Sequence, residues 1–432
     1  MPYDIDLGPV MLSDWYHEEY HQIVWSLLQP RPDMPAPISD NNLINGKMNF
    51  DCSRLNSSTY ISGADCTNNA GYSQFTFQAG KSHRLRLMNT GAAGAQQFSI
   101  DDHILRVMAN DFVPVEPYDT DVVTLGISQR TDIVVKANGD PAQSYWMRST
   151  ITCSNADQPE ARAIIHYDNT STYSLPHTTA QSYGNVGCAN DELTKTVPSY
   201  SIAIKEPETT KTVTMTVAQN ETGSWLWYLN DSSYFGDTSK PMLLLAEEGK
   251  DSFSDPKLNV YNMGSNSSFR FVGKLKTFPS LHVQSINLAT VNNESPIWHP
   301  MHLHGHNMFI LVRNSFVLPV SRELWDILLM CSKAEGDGTW DGHVVRPSNP
   351  QRRDAQQVRP HGYMVWQVNA DNPGAWPFHC HIAWHLSSGM AIDVLERPDD
   401  IHKLPIPEER YEQCRQWALW QAGLVPQIDS GV

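Results

Sequence analysis

The tripeptide His379-Cys380-His381 constrains the fold more than any other feature of this sequence. On an extended strand successive side chains point to opposite faces, so Cys380 faces one way and the two histidines face the other. Thiolate and imidazole groups are strong ligands for transition metals. The tripeptide therefore predicts a strand that borders two metal centres, one on each of its faces.

The first centre, on the face of Cys380, has the ligands of a blue copper site. One thiolate, two imidazoles and a weak axial thioether suit copper that cycles between one and two positive charges. The residues that can supply this set are His299, Cys380, His385 and Met390. An electron at this copper would have a short covalent path to the other face, because Cys380 is bonded to both flanking histidines.

The second centre, on the opposite face, is a cluster of imidazoles. His302 and His304 are two residues apart and share a strand face, as do His379 and His381. Several imidazoles in one cluster suit several copper ions and hence dioxygen chemistry. His306 is expected to orient a neighbouring ligand rather than to bind metal itself.

A competing metal motif lies near the start of the chain. His17-Glu18-Glu19-Tyr20-His21 fits the H-E-x-x-H pattern, which on a helix places two zinc ligands on one face with Glu18 as general base. Catalytic zinc sites need three protein ligands, and no third one is evident nearby. The alternatives are a zinc peptidase and a solvated helix rich in His and Glu.

The rest of the chain predicts an all-β fold. Apolar and polar residues alternate in several segments, with turns rich in Gly, Pro, Asn and Asp between them, as in β-sandwiches. The strand candidates are Arg84 to Leu87, Thr131 to Val135, Thr212 to Val217, Phe269 to Val272, Met364 to Val368 and Met390 to Leu395. Helices are expected only after Asp14 and from Glu408 through Trp420, and a domain boundary near residue 190.

Charge and composition exclude several classes of protein. With 31 basic and 47 acidic side chains the net charge is −16, and no basic cluster is available to bind nucleic acid. No apolar run reaches the roughly 20 residues of a membrane-spanning helix. The 13 Trp, 16 Tyr and 13 Phe residues supply the apolar surface that disordered chains lack.

Cysteines and glycosylation motifs favour an extracellular protein, although the chain opens without a secretory signal. Two local disulfides are expected, Cys52 with Cys66 and Cys153 with Cys188, while Cys331 and Cys414 have no obvious partner. Six Asn-x-Ser/Thr sequons begin at Asn56, Asn169, Asn220, Asn230, Asn266 and Asn293. We therefore expect a secreted protein whose N-terminal part is missing from this sequence.

These motifs resemble those of the multicopper oxidases, most closely the laccases of filamentous fungi. The resemblance covers most of the chain, including Pro2 to Gly8, Leu43 to Gly46, His83 to Asn89, Pro350 to Asp354 and Asp371 to His379. It implies tandem cupredoxin-like Greek-key β-sandwiches. Residues 1–10 would end a truncated first domain, residues 11–190 would form a metal-free second domain, and residues 191–432 would carry the copper ligands.

The resemblance also implies an activity and a role for each ligand. His299, Cys380 and His385 would bind the type 1 copper, His302 the type 2 copper, and His304, His379 and His381 the type 3 pair. Phenolic or related reductants would give single electrons through His385, and dioxygen would be reduced to water by a monomer. Met390 occupies the axial position, where many fungal laccases carry Leu or Phe, so a lower copper potential is expected.

The sequence departs from the family pattern in two places. The family's first domain supplies two His-x-His motifs, yet no such motif precedes His302, so four of the eight expected histidines are present. We expect a type 1 copper and weak dioxygen reduction; the alternative is an electron-transfer remnant without oxidase activity. The segment Asn314 to Ala334 interrupts a core strand, and we interpret it and the short start as errors of a conceptual translation. By the family pattern, the Cys414 thiol would be free.

Overall fold

Strands form most of the regular structure. The structure is a computed structural model that describes residues 3–34, 36–54, 66–168, 175–182, 187–265, 268–275, 298–313, 343–358 and 363–421. The strands are β1 (Ile5–Trp15), β2 (Asn41–Ile44), β3 (Ser73–Phe77), β4 (Ser82–Asn89), β5 (Ala95–Ile100), β6 (Leu105–Asn110), β7 (Val113–Thr120), β8 (Val123–Leu125), β9 (Arg130–Lys136), β10 (Ser144–Thr152), β11 (Glu160–Tyr167), β12 (Thr209–Gln219), β13 (Trp225–Leu229), β14 (Val260–Asn262), β15 (Ser268–Leu275), β16 (His299–Leu303), β17 (Met308–Arg313), β18 (Gln351–Arg353), β19 (Ala355–Val358), β20 (Tyr363–Asn369), β21 (Gly374–Cys380) and β22 (Ala391–Glu396). The α-helices found within those ranges are α1 (Tyr20–Leu27), α2 (Met242–Glu247), α3 (Ala383–Ser387), α4 (Pro398–Ile401) and α5 (Glu408–Gln421).

The strands form four sheets that follow one topology twice. The first pair of sheets has the orders β2-β1-β4-β9-β6-β7 and β3-β11-β10-β5-β8. The second pair has the orders β13-β12-β15-β20-β17-β18 and β14-β22-β21-β16-β19. Adding eleven to each strand number converts the first pair into the second, so the two halves of the chain repeat one sandwich architecture.

Each pair of sheets encloses its own apolar core. In the first sandwich, Leu85 and Phe98 come from different sheets and belong to one buried cluster. In the second, Phe271 and Cys380 do the same. Two sheets that share one core define a β-sandwich, and the predicted all-β fold is confirmed.

The expected elements are present in nearly all cases. Five of the six strand candidates lie wholly on strands, and the sixth, Met390 to Leu395, begins one residue before β22; the C-terminal helix spans Glu408–Gln421. The disulfides Cys52–Cys66 and Cys153–Cys188 are both formed, and the thiol of Cys414 is free. The domain boundary expected after residue 10 falls inside strand β1. The boundary expected near residue 190 falls between the last strand of the first sandwich and the first strand of the second.

Several expectations concern parts of the chain outside the described residues. These are the segment 314–334 with Cys331, and four of the six sequons, at Asn56, Asn169, Asn266 and Asn293. Within the described residues, no helix is long and apolar enough to cross a membrane.

Buried ion pairs join the two sandwiches. Asp111, after β6, receives hydrogen bonds from Arg353 on β18, with 2.9 Å between Arg353 Nε and Asp111 Oδ2. Arg130 on β9 donates two hydrogen bonds to the Asp354 carboxylate. Burial alone would raise the pKa of Asp111, but the charges of Arg353 and Arg130 outweigh it and lower that pKa. The interface is therefore held by paired charges rather than by apolar contact alone.

Replacing Asp111 by Asn should loosen this interface. Arg353 is 3% exposed and would lose its anionic partner, so the free energy of unfolding should fall by about 3–5 kcal/mol. Denaturant unfolding of both proteins measures the difference. The control is Asp119→Asn, which breaks the exposed pair with Arg106 and should cost less than about 1 kcal/mol. Equal losses in the two variants would contradict this account.

The first sandwich buries two neutral histidines. His83 and His103 are fully buried, and burial lowers the pKa of each. His103 is also bonded at both ring nitrogens, to the carbonyl of Asp101 and to the hydroxyl of Tyr167. Because the unfolded chain takes up these protons near pH 6.5 and the fold resists them, stability is expected to be lost as the pH falls below about 6.5.

The variant His103→Gln tests this pH dependence. It should reduce the slope of unfolding free energy against pH, between pH 5 and 6, by up to about 1.4 kcal/mol per unit, since one proton fewer is taken up on unfolding. Denaturant titrations at several pH values measure the slope. The interpretation fails if the variant lowers stability equally at every pH.

Candidate metal centres

Pairing between β16 and β21 places the two histidine-rich segments side by side. The strands are antiparallel, with Met301 opposite Cys380 and His302 opposite His379. Residues directly opposite each other share a face of the sheet. Met301 and Cys380 are fully buried on the core side, whereas His302 is partly exposed on the other. The alternation expected for His379-Cys380-His381 is therefore realised by this register.

The first cluster brings together His299, Cys380 and His385. Cys380 Sγ lies 3.6 Å from His299 Nδ1 and 3.5 Å from His385 Nδ1, and the two nitrogens are 3.2 Å apart. His299 is the first residue of β16, Cys380 is the last residue of β21, and His385 lies on α3. Three ligand atoms on separate elements thus converge on one point.

Met390 lies beside this cluster through its backbone. Its carbonyl accepts a hydrogen bond from the Cys380 amide at 3.1 Å, and its own amide donates to the His385 carbonyl at 3.0 Å. The Met390 side chain is fully buried. Two of the three convergent residues are therefore tied directly to the residue that was expected to be the axial ligand.

The electrostatics of the first cluster fit a copper ion. Burial lowers the pKa of His299 to about 3 and that of His385 well below its usual value, so both imidazoles are neutral and keep a lone pair. Burial raises the pKa of the Cys380 thiol. A buried thiol gives up its proton when a metal ion replaces it, and the sulfur and two nitrogens are the donor set that copper prefers.

The second cluster comprises His302, His304 and His379. Their ligand atoms lie within 4.8 Å of one another, and His304 Nε2 is 3.1 Å from His379 Nε2. His302 and His379 each donate from Nδ1 to a carbonyl, of Asp354 at 2.8 Å and of Cys380 at 2.9 Å. Both therefore present the lone pair of Nε2 to the cluster.

His381 borders the second cluster, and His306 points away from it. The His381 ring centroid is 5.6 Å from that of His302 and 5.4 Å from that of His379. Burial lowers the pKa of His379 to about 3 and that of His381 to about 4, so these imidazoles are neutral. His306 Nε2 instead lies 2.9 Å from the buried carboxylate of Glu396.

The alternative zinc site at His17, Glu18 and His21 is not formed. Helix α1 begins only at Tyr20, so His17 and Glu18 precede it and the two histidines do not share a helix face. His17 lies against Asp40, with 3.3 Å between its Nδ1 and the carboxylate. Among the described residues, the two groups that could hold a metal do not include this motif. The structure thus gives no support to the zinc-peptidase alternative.

Two residues near the clusters were not predicted from the sequence. Trp227 on β13 packs against both ligand rings of the first cluster, with ring centroids 4.8 Å from His299 and 4.5 Å from His385. Asp354 joins the second cluster to the interface, because its carbonyl accepts from His302 and its carboxylate pairs with Arg130. The sequence offered a hint of such a role only for Asp354, which follows the arginine pair Arg352-Arg353.

Two β-sandwiches of equal topology, with a Cys-His cluster on one face of a strand and an imidazole cluster on the other, define a copper protein of the cupredoxin type. Comparison with known sequences gives the family. Two sequence models described as Multicopper oxidase match residues 6–170 and 255–400. The chain belongs to the multicopper oxidase family, whose cofactor is copper.

Similar proteins include fungal oxidoreductases and laccases. The chain is 35% identical to Oxidoreductase OpS5 of Beauveria bassiana over 424 residues, which cover 96% of this chain and 64% of that protein. It is 30% identical to Laccase-2 of Botryotinia fuckeliana over 447 residues, 100% of this chain and 67% of that protein. The chain thus spans about two thirds of the length of these relatives. The expected truncation stays a prediction.

Comparison with solved structures leads to the same family of folds. The crystal structure of laccase from Botrytis aclada is similar with a TM-score of 0.79 and 29% identity, covering 100% of this chain and 71% of that one. The multicopper oxidase Fet3p, described as functioning in iron import, shares the fold with a TM-score of 0.75 at 23% identity, covering 97% of this chain and 71% of that one. The cupredoxin-like fold is therefore confirmed.

Removing one ligand from each cluster should separate the two centres. Cys380→Ser should abolish the intense blue thiolate absorption of copper-loaded protein, because no other sulfur supplies that transition at the first cluster. The matched variant His302→Ala should keep the blue absorption and lose only copper held at the second cluster. Absorption spectra with copper analysis measure both. A blue Cys380→Ser protein would refute the assignment.

Proposed function

We propose that the chain is a laccase-like multicopper oxidase that takes single electrons from phenolic or related small-molecule reductants and passes them to dioxygen, which is reduced to water. Copper, when bound, would supply the one-electron chemistry and the reduction of dioxygen. The proposed ligands are those named above, with Met390 axial. The observation that supports the proposal most is the pair of clusters on the two faces of β21, joined through the bonds of Cys380.

Differences in exposure indicate where the reductant binds. His299 and Cys380 are fully buried, whereas His385 is partly exposed. A small cavity of about 20 Å³ lies against His385 between Trp227 and Trp384. Leu27 lines this cavity and also a larger one of about 270 Å³ beside α1. We propose that an aromatic reductant approaches His385 from this side of the protein and that the imidazole of His385 is its contact with the centre.

The residues around His385 define the site that such a reductant would meet. Trp384 is 6% exposed and Trp227 is 4% exposed, so both rings are fixed in the core and offer little surface to a reductant. The partly exposed imidazole of His385 is then the part of this site that a phenol ring can reach. The reaction transfers electrons and not atoms, so a reductant need only come close to His385, and tight shape selection is not required.

A second candidate function is electron transfer by a type 1 copper alone. It is favoured by the exposure of His304 and by the three imidazoles that the second cluster brings together among the described residues. Type 3 coppers need more imidazoles than His304, His379 and His381 provide. We propose that a polypeptide of these residues binds type 1 copper and reduces dioxygen poorly.

The setting of the protein is part of the proposal. We propose a secreted monomeric glycoprotein, since disulfides such as Cys52–Cys66 and Cys153–Cys188 persist in oxidising compartments. Its partners would be small molecules, not nucleic acid or membranes.

One experiment distinguishes the oxidase from the electron-transfer protein. Without oxygen, a phenolic reductant such as hydroquinone should bleach the blue absorption of the copper-loaded polypeptide. When oxygen is readmitted, an oxidase recovers its colour rapidly and shows the near-ultraviolet absorption of a coupled copper pair. We expect slow recovery and no such absorption from these 432 residues. Ordinary laccase turnover would contradict the expected impairment, and failure of hydroquinone to bleach the colour would contradict the oxidation of phenols.

A further inference from the structure

The helix that carries His385 cannot hold its position alone. Helix α3 has five residues, and a helix this short closes few internal hydrogen bonds. The direction in which His385 points therefore depends on what packs around α3. Much of that packing comes from the first sandwich, from residues between Asp14 and Tyr20 and from the loop of residues 91–94.

Asp14 organises this loop. Its carboxylate is 4% exposed and accepts three backbone N–H groups, from Ala92 at 2.6 Å, Ala93 at 2.8 Å and Gly94 at 2.7 Å. Among the described residues, no lysine or arginine forms an ion pair with it. A buried carboxylate held only by backbone N–H groups concentrates its stabilisation on one short segment of chain. The loop conformation therefore depends on this side chain.

The loop in turn holds the start of α3. The carbonyl of Ala92 accepts a hydrogen bond from the amide of Ala383 at 2.8 Å, and Ala383 is the first residue of α3. The amide of Ala92 thus donates a hydrogen bond to the Asp14 carboxylate, and its carbonyl accepts one from the first residue of the helix. Ala93 also packs in the apolar cluster that includes Trp384. Ala92 alone therefore links Asp14 to the helix of His385 through its two hydrogen bonds.

Two tyrosines after Asp14 hold the rest of the helix. The Tyr16 ring meets Trp384 edge to face, with centroids 5.2 Å apart, and the Tyr20 ring stacks on it at 5.8 Å. The Tyr20 hydroxyl is hydrogen-bonded to Ser387 Oγ at the end of α3. The start of the helix is therefore in contact with the loop of residues 91–94, and its middle and end are in contact with Tyr16 and Tyr20.

We propose that Asp14 is a positioning residue for His385: through the loop of residues 91–94 it sets the orientation in which α3 presents the imidazole to Cys380 and His299. It touches neither the ligands nor the reductant. The proposal rests on the proposed copper site for its spectroscopic consequences but not for its consequences in the metal-free protein. Outer residues that orient metal ligands typically change metal affinity by about 10–100-fold when replaced.

The test compares Asp14→Asn with the intact chain. Asn keeps one side-chain oxygen and replaces the other by an NH₂ group, which cannot accept a backbone N–H. At least one of the three hydrogen bonds to the loop is therefore lost, and the loop should loosen. In metal-free protein, amide hydrogen exchange in residues 382–388 should be at least about tenfold faster. In copper-loaded protein, the affinity for type 1 copper should fall by about tenfold or more, and the blue absorption maximum should shift.

Asp101→Asn is the matched control. Asp101 is also a buried carboxylate of the first sandwich, but it accepts hydrogen bonds from Arg148 at 2.9 Å and from Thr178 at 2.8 Å, and not from the loop of residues 91–94. This variant should lose stability, while exchange in 382–388 and the blue spectrum stay unchanged. Equal exchange and spectra in Asp14→Asn and Asp101→Asn would overturn the proposal.

A second variant covers the case in which Asp14→Asn does not fold. A Cβ at Gly91 would lie 2.6 Å from Asp14 Oδ1, so Gly91→Ala pushes the carboxylate and loop apart without removing the charge. It should reproduce the faster exchange and the spectral shift, and unchanged values would overturn the proposal. If even the intact chain gives no blue colour, the copper assignment fails, and hydrogen exchange alone decides the role of Asp14.

Discussion

The alternation of side chains along β21 is the constraint on which the rest of the structure depends. Because Cys380 and His379 are neighbours in sequence, they must face opposite sides of one sheet, and each side needs a different environment. The Cys380 side is part of a fully buried core, while the His379 side opens toward His304 at the surface. A β-sandwich meets both demands, because one face of each sheet is dry and the other can be wet.

Local patterns predicted more of this protein than distant contacts did. The strands around Leu85 and Val213, the disulfides and the opposite faces of Cys380 and His379 follow from alternation and short spacing. The H-E-x-x-H motif at His17 misled, because a residue pattern does not show where a helix begins. Asp14 could not be predicted, since its partners lie about eighty residues away and only the folded chain brings them together.

The repeated topology shows what the first sandwich contributes. Its strands follow the same order as those of the second, yet among the described residues both candidate metal groups lie in the second. The first sandwich instead makes one contact that supports each cluster. Arg130 pairs with Asp354, whose carbonyl orients His302. The loop of residues 91–94 is hydrogen-bonded to the helix of His385. One copy of the fold thus carries the chemistry and the other copy orients it.

The two supports differ in kind because the two clusters do different work. His302 needs only its tautomer and ring orientation defined, which a single carbonyl achieves. In the proposed function His385 is both a ligand and the partly exposed contact for a reductant, so its whole helix would have to be held at a fixed depth. Tyr16 and Trp227 pack against the rings of Trp384 and His385, and so hold the helix from both sandwiches. The partial exposure of His385 therefore depends in part on a contact from outside the sandwich that holds Cys380, that of Tyr16 with Trp384.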